Sequence, residues 1–102
     1  MHYHLIVHRD SVSYQMKNMG TSEERRDLAR KVERTIKSLL CSDKLNILEI
    51  PRDQDPRKIP EEISSGDSVT LYGGTHGYCL TGTLLALQLM DVKAEYHPEG
   101  FV

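Results

Sequence analysis

The sequence predicts a small α/β fold, a Rossmann-like sandwich around a mostly parallel four-stranded sheet in the order β-α-β-β-α-β, and three observations predict it. Short runs rich in β-forming residues at Tyr3–Val7, Leu45–Ile50, Ser68–Tyr72 and Val92–Tyr96 read as strands. Two longer stretches carry apolar residues at helical spacing. Each of these falls between a pair of strands, so the chain contains two βαβ units, whose right-handed crossovers make their strands parallel. With 102 residues the whole chain, 1–102, is one domain. Only 38% of it is hydrophobic and it has no Trp. Its private core is therefore modest, and a homodimer is the expected supplement.

Each element has its own justification. The first strand ends at Val7, where the polar Arg9-Asp10-Ser11 begins. Residues 11–20 show neither strand nor helix period and read as an ordered loop or lid. Thr21-Ser22-Glu23-Glu24 fits a capping box, with the Thr21 hydroxyl as cap. The helix it opens spans roughly 22–41, with an apolar stripe of Leu28, Val32, Ile36, Leu39 and Leu40. Its many charges read as a solvated face laced by pairs such as Asp27–Lys31 and Glu33–Lys37, without further function. Pro51 closes the second strand. Residues 52–66 read as surface connection, with Pro60-Glu61-Glu62-Ile63 as a single helical turn. The third strand runs into Gly73-Gly74-Thr75-His76-Gly77. From about Tyr78 a second helix follows, apolar on nearly every side and so expected to lie mostly buried, between the sheet and another subunit or loop. The fourth strand alternates Val92, Ala94 and Tyr96 with Lys93, Glu95 and His97, leaving one face wetter.

Charge and cysteine usage narrow the function. Thirteen Lys and Arg against fifteen Asp and Glu give a net charge of −2. Binders of duplex nucleic acid carry a basic excess instead. No apolar run is long enough to span a membrane, and Met1–His8 is too polar for a secretory signal, so the expected location is cytoplasmic. Cys41 and Cys79 are too far apart for a CxxC pair and read as reduced thiols.

If the first and third strands are central neighbours, the loops leaving their carboxyl ends face one crevice, the usual ligand position in such sheets. Those loops are His8-Arg9-Asp10-Ser11 and Gly73-Gly74-Thr75-His76-Gly77. Glycines let backbone amides approach a phosphate closely, and the start of the following helix adds unpaired N–H groups. Arg9 offers a forked cation, or pairs with Asp10 or a partner subunit's carboxylate. His76 suits acid–base work or donation to phosphate, and equally a structural role. Thr75 also fits as a helix cap. Tyr78, Cys79 and Thr81 fit packing or capping better than ligand contact. Cys79 lacks the following arginine of a cysteine phosphatase, which argues against a thiol nucleophile. The P-loop lysine and the Gly-x-Gly-x-x-Gly spacing are both missing. His2 and His4 share a strand face with His8, and His2-x-His4 as a metal pair is the lesser reading. His8, beside Arg9, is the better site candidate of the three. His97 lines the same edge or lies exposed.

Val69-Thr70-Leu71-Tyr72-Gly73-Gly74-Thr75-His76, with the apolar helix and closing strand behind it, resembles the ligand loop of CARF domains. These are the cyclic oligoadenylate sensors of type III CRISPR defence. The likeness covers Gly66 to Tyr96, about a third of the chain, supported by Arg9 to Ser11. His76 stands where many members carry lysine, the sheet is shorter, and no effector domain follows within the sequence. A domain of this kind resembles the small stand-alone ring nucleases, or a viral protein disarming the same signal. The resemblance implies a metal-independent, cofactor-free reaction in which a ribose 2′-hydroxyl attacks the adjacent phosphodiester, leaving a 2′,3′-cyclic phosphate. It implies Arg9 and His76 as catalytic residues. It places Gly73, Gly74, Thr75, Gly77 and Tyr78 on the cyclic oligoadenylate, together with His8, Asp10 and Ser11. A two-fold ligand suits a C2 homodimer. Three other classes stay open: a sensor or sponge that binds without cleaving, a structural or protein-interaction domain, and an unrelated small-molecule phosphoesterase using the histidines and a metal.

Overall fold

The computed structural model describes residues 1–9, 22–73 and 80–101. Within them the elements are β1 (His2–Val7), α1 (Glu23–Leu40), β2 (Ile47–Ile50), β3 (Ser68–Tyr72), α2 (Thr81–Leu89) and β4 (Lys93–Tyr96). The strands form one sheet in the order β2-β1-β3-β4, parallel at every pairing. Val7 lies opposite Ile50, Leu5 opposite Leu71, and Leu71 opposite Tyr96. The protein is thus the α/β domain its sequence predicts.

The pleat of β1 divides the interior. Tyr3, Leu5 and Val7 point to one face, where they pack with Ile50, Val69, Leu71, Leu80, Leu87 and Val92. Ile6 points to the other, where it meets Ala29, Val32, Ile36 and Leu39 of α1 and Tyr72 of β3. Because the crossovers leave β1 and β3 in opposite directions, α1 and α2 contact opposite faces.

Several expectations are corrected in detail. The cap of α1 is Ser22, whose hydroxyl accepts from the Arg25 N–H at 3.3 Å; the expected cap, Thr21, lies outside the described residues. The buried stripe of α1 is Ala29, Val32, Ile36 and Leu39, at spacings that keep one face, while Leu28 and Leu40 are rotated off it and exposed. β2 begins at Ile47, because Asn46 takes a left-handed φ of 63° and leaves Leu45 exposed before the sheet. Residues 51–67 are more than surface connection. Ile63 is buried in the core with Ile59 against it, and the Tyr3 hydroxyl donates to the Glu62 carbonyl at 3.0 Å. Thr83 Oγ1 donates to the Pro56 carbonyl at 2.6 Å. This segment therefore joins α2 in covering the second face. Pro60 to Ile63 makes a turn closed by an Ile63 N–H to Pro60 carbonyl bond of 3.1 Å, not a full helical turn.

The second helix is also less buried than expected. Leu80, Thr83 and Leu87 are fully enclosed, but Leu85 and Leu89 are 54% and 90% exposed. An all-round apolar helix has one face more than a single sheet can cover. In β4 the alternation holds: Ala94 and Tyr96 pack on the core, and Lys93 and Glu95 face water.

Candidate functional site

The adjacency of β1 and β3 makes the sheet's switch point, where consecutive crossovers diverge, the usual ligand position in sheets of this kind. β1 delivers His8 and Arg9 to that edge, and β3 delivers Gly73. A left-handed φ of 51° at His8 turns the chain out of the strand. The His8 N–H still donates to the Ile50 carbonyl at 2.9 Å, and Nε2 donates to the Gln54 carbonyl at 2.8 Å. His8 is buried and braces the exit of β1 to the 51–55 loop.

Gly73 sits at φ 87°, in the region that favours glycine. A Cβ built there would lie 2.7 Å from the Val7 carbonyl oxygen. The backbones leaving the two central strands therefore touch, and only the absence of a side chain permits it.

Arg9 is tied to α1. Its Nη2 donates to Glu33 Oε1 at 2.8 Å, with the carboxylate side chain only 12% exposed. Among the described residues the other oxygen, Glu33 Oε2, and Arg26 Nε are buried without a hydrogen-bond partner. The expected Glu33–Lys37 pair is thus replaced by a longer-range one. Glu33 lies four residues from Ala29 and three from Ile36, on the border of the buried stripe, so its carboxylate points to the strand exit. Asp27 likewise pairs with Arg30, at 2.6 Å, and Lys31 with Glu99, at 3.6 Å. Periodicity alone carried the signal for Glu33, but it was read as surface charge.

Of the predicted site residues, then, the structure brings His8, Arg9 and Gly73 to one edge. Asp10, Ser11, Gly74, Thr75, His76, Gly77 and Tyr78 lie outside the described residues, as do Cys79 and the 11–20 segment.

A second polar feature occupies the α1 side of the sheet, along β1, β3 and the end of β4. His2 bonds Ser68 Oγ at 2.6 Å through Nδ1 and Thr70 Oγ1 at 2.8 Å through Nε2. His4 Nδ1 bonds the Tyr72 hydroxyl at 3.0 Å. Tyr72 stacks on His97, ring centroids 5.1 Å apart. With both nitrogens of His2 held by hydroxyls, the pair is a polar ladder across β1 and β3. No group of three or more His, Cys, Asp or Glu side chains able to hold a metal is found among the described residues. Burial holds His4 below the ordinary histidine range, helped by the charges of Lys44, His2 and His97. Burial likewise raises the Tyr72 phenol. His97 accepts at Nδ1 from the Glu99 N–H at 3.1 Å, which fixes its neutral tautomer with the proton on Nε2.

Fold and edge together define an α/β domain with a switch point flanked by a β1 arginine and a β3 glycine. No protein-family model, curated protein or solved structure matches the chain. No helix among the described residues is long and apolar enough to cross a membrane.

Proposed function

We propose that the chain binds a phosphodiester ligand, a cyclic oligoadenylate, at the switch point, and linearises it without a metal or cofactor. By that reading it acts in the cytoplasm and ends type III CRISPR or related antiviral signalling. One observation carries the reading: β1 and β3 are parallel neighbours with their crossovers on opposite faces, so the Arg9 and Gly73 loops leave the same edge side by side.

The chemistry asks little of the protein beyond alignment and charge stabilisation. A ribose 2′-oxygen attacks phosphorus, the bond to the neighbouring 5′-oxygen breaks, and that oxygen takes up a proton. A 2′,3′-cyclic phosphate and a free 5′-hydroxyl result. In this reading backbone amides of Gly74, Thr75 and Gly77 hold the phosphate, Arg9 answers charge on its oxygens, and His76 supplies the proton. Glu33 positions the Arg9 guanidinium. The exposed Leu85 and Leu89 of α2 support a homodimer, since a second copy would remove them from water.

The Arg9–Glu33 pair also favours a second reading, binding without cleavage. A guanidinium already matched by a carboxylate at 2.8 Å has less charge to lend a transition state.

Incubation with cyclic tri-, tetra- and hexa-adenylate in chelator, with products resolved by mass, tests both. Linear products ending in 2′,3′-cyclic phosphate, lost in Arg9→Ala and His76→Ala, support the nuclease. Intact but bound ligand supports the sensor or sponge. Neither binding nor cleavage removes both.

A further inference from the structure

We propose a second anion site in the groove between α1 and the β3–β4 side of the sheet, built to take a small phosphate-bearing ligand and independent of the switch point. The groove has a volume of about 510 Å³, within the range of sites that hold small molecules. Its cations come from one stripe of α1 and the turn after it: Lys31, Arg34 and Lys44. Across the gap stand Tyr72, His97 and Glu99.

Three features separate this groove from an ordinary solvated helix face. The first is its charge balance. Lys31, Arg34 and Lys44 face one carboxylate, Glu99, on a chain whose acidic residues outnumber its basic ones by 15 to 13. Concave walls of one sign concentrate a field that an open surface would dissipate. The second is pairing. On the outer side of α1, Arg30 is matched by Asp27 three residues away. Among the described residues neither Arg34 nor Lys44 has a carboxylate partner, and Lys31 meets Glu99 only at 3.6 Å with both side chains about half exposed, a pair of little strength. The third is the supply of uncharged donors. Ser38 lines the same wall, and the His97 tautomer set by Glu99 presents Nε2–H as a donor. Phosphate oxygens need such a mixture: a forked guanidinium, a compact ammonium, and neutral N–H or O–H groups. Leu39, the Tyr72 ring and the carbon stems of the cationic side chains add apolar surface between the polar groups. The positive charge of the groove is felt nearby, where Lys44 adds to burial in lowering the His4 pKa.

Glu99 gives the site a test of unusual direction. It is the one acidic group in the groove and occupies Lys31, so a phosphate must compete with it. Removing its charge strengthens anion binding, whereas generic damage to the fold weakens it.

Inorganic pyrophosphate is the probe, titrated at low ionic strength into the full chain while backbone amide shifts are followed. Saturable shifts centred on Arg34, Ser38 and Lys44 are expected. Each cation removed by Arg34→Gln or Lys44→Gln weakens binding about tenfold, and the double variant about a hundredfold. Glu99→Gln tightens it severalfold. Arg30→Gln, outside the groove, and Arg9→Ala, at the switch point, leave it unchanged. The inference is overturned by the lack of saturable shifts at a concentration well above a millimolar Kd. It is equally overturned by a Glu99→Gln variant no tighter than the parent, or by equal losses in Arg30→Gln. The Glu99→Gln arm alters only a half-exposed side chain and decides the matter even where the double variant folds poorly. Loss of oligoadenylate binding in Arg9→Ala with pyrophosphate binding intact leaves the two sites separate.

Discussion

Replacing Gly73 by alanine tests whether the two central strands are as closely locked at the switch point as the geometry requires. Two penalties add. A side chain at φ 87° costs about 1–2 kcal/mol for its left-handed conformation. The new Cβ would also lie 2.7 Å from the Val7 carbonyl oxygen and 3.6 Å from its carbon and nitrogen. Backbone cannot swing aside as a flexible side chain can, so relief requires moving the end of β1 at roughly 1–3 kcal/mol. The sum, about 2–5 kcal/mol, is a large part of the ~5–15 kcal/mol that holds a domain of this size. Gly66 supplies the internal control. Its φ of 91° is nearly the same, but nothing lies within 4 Å of its Cβ position. Gly66→Ala therefore pays the conformational term alone. Urea unfolding of both variants, with unchanged denaturant slopes, should show Gly73→Ala less stable than Gly66→Ala by about 1–3 kcal/mol. Equal losses would refute the close approach of β3 to β1, and with it the tight edge on which the site is built.

Thr83→Val keeps the shape of a fully buried side chain but deprives the Pro56 carbonyl of its 2.6 Å donor; urea unfolding should show a loss of ~1–3 kcal/mol, and a neutral result would mean that the 51–67 cover does not depend on α2. His4 should titrate below the ordinary value of 6.5 by imidazole NMR, and Lys44→Gln should move it upward; a titration unmoved by that change would break the link between Lys44 and His4. Between its lowered pKa and 6.5 the unfolded chain binds more protons, so the His4 contribution to stability falls as pH drops through that window. Asp55, bonded through its carboxylate to the Arg57 guanidinium and backbone N–H, should titrate near a pKa of about 2, against an ordinary 3.8. Its contribution is complete above 3.8 and lost as pH falls toward 2, and an Arg57→Gln midpoint that failed to rise would deny the pairing.

What could be read from the chain and what could not divides along physical lines. The strand–helix alternation is carried by period, and the crossovers make the strands parallel, but handedness fixes the face each helix takes and not which strands are neighbours, so the β2-β1-β3-β4 order comes from the structure. The Gly73 turn was legible for the same reason: a glycine directly after a strand marks a place where a side chain does not fit. Faces were harder. Ala29 gives little hydrophobic signal, so the stripe drifted to Leu28 and Leu40, which proved exposed. The Arg9–Glu33 pair spans 24 residues, and no local spacing rule reaches that far. Residues 51–67 contain three prolines and charges enough to resemble surface chain only if Ile59 and Ile63 are overlooked; Pro51, Pro56 and Pro60 set their turns, and those two isoleucines anchor them to the core. The basic groove is assembled from α1, the turn at Ser42–Lys44, β3 and the segment after β4. Charges that read singly as a solvated face acquire a common direction only when the groove they line is seen across α1, Tyr72 and His97.

The measurement closest to the central claim is an amide-shift titration of the full chain with cyclic tetra-adenylate in chelator. Binding at the switch point predicts that His8, Arg9 and Gly73 shift together and saturate, and that Arg9→Ala abolishes the response. Saturating shifts confined to the α1 groove, or no shifts at any of these three residues, would contradict it.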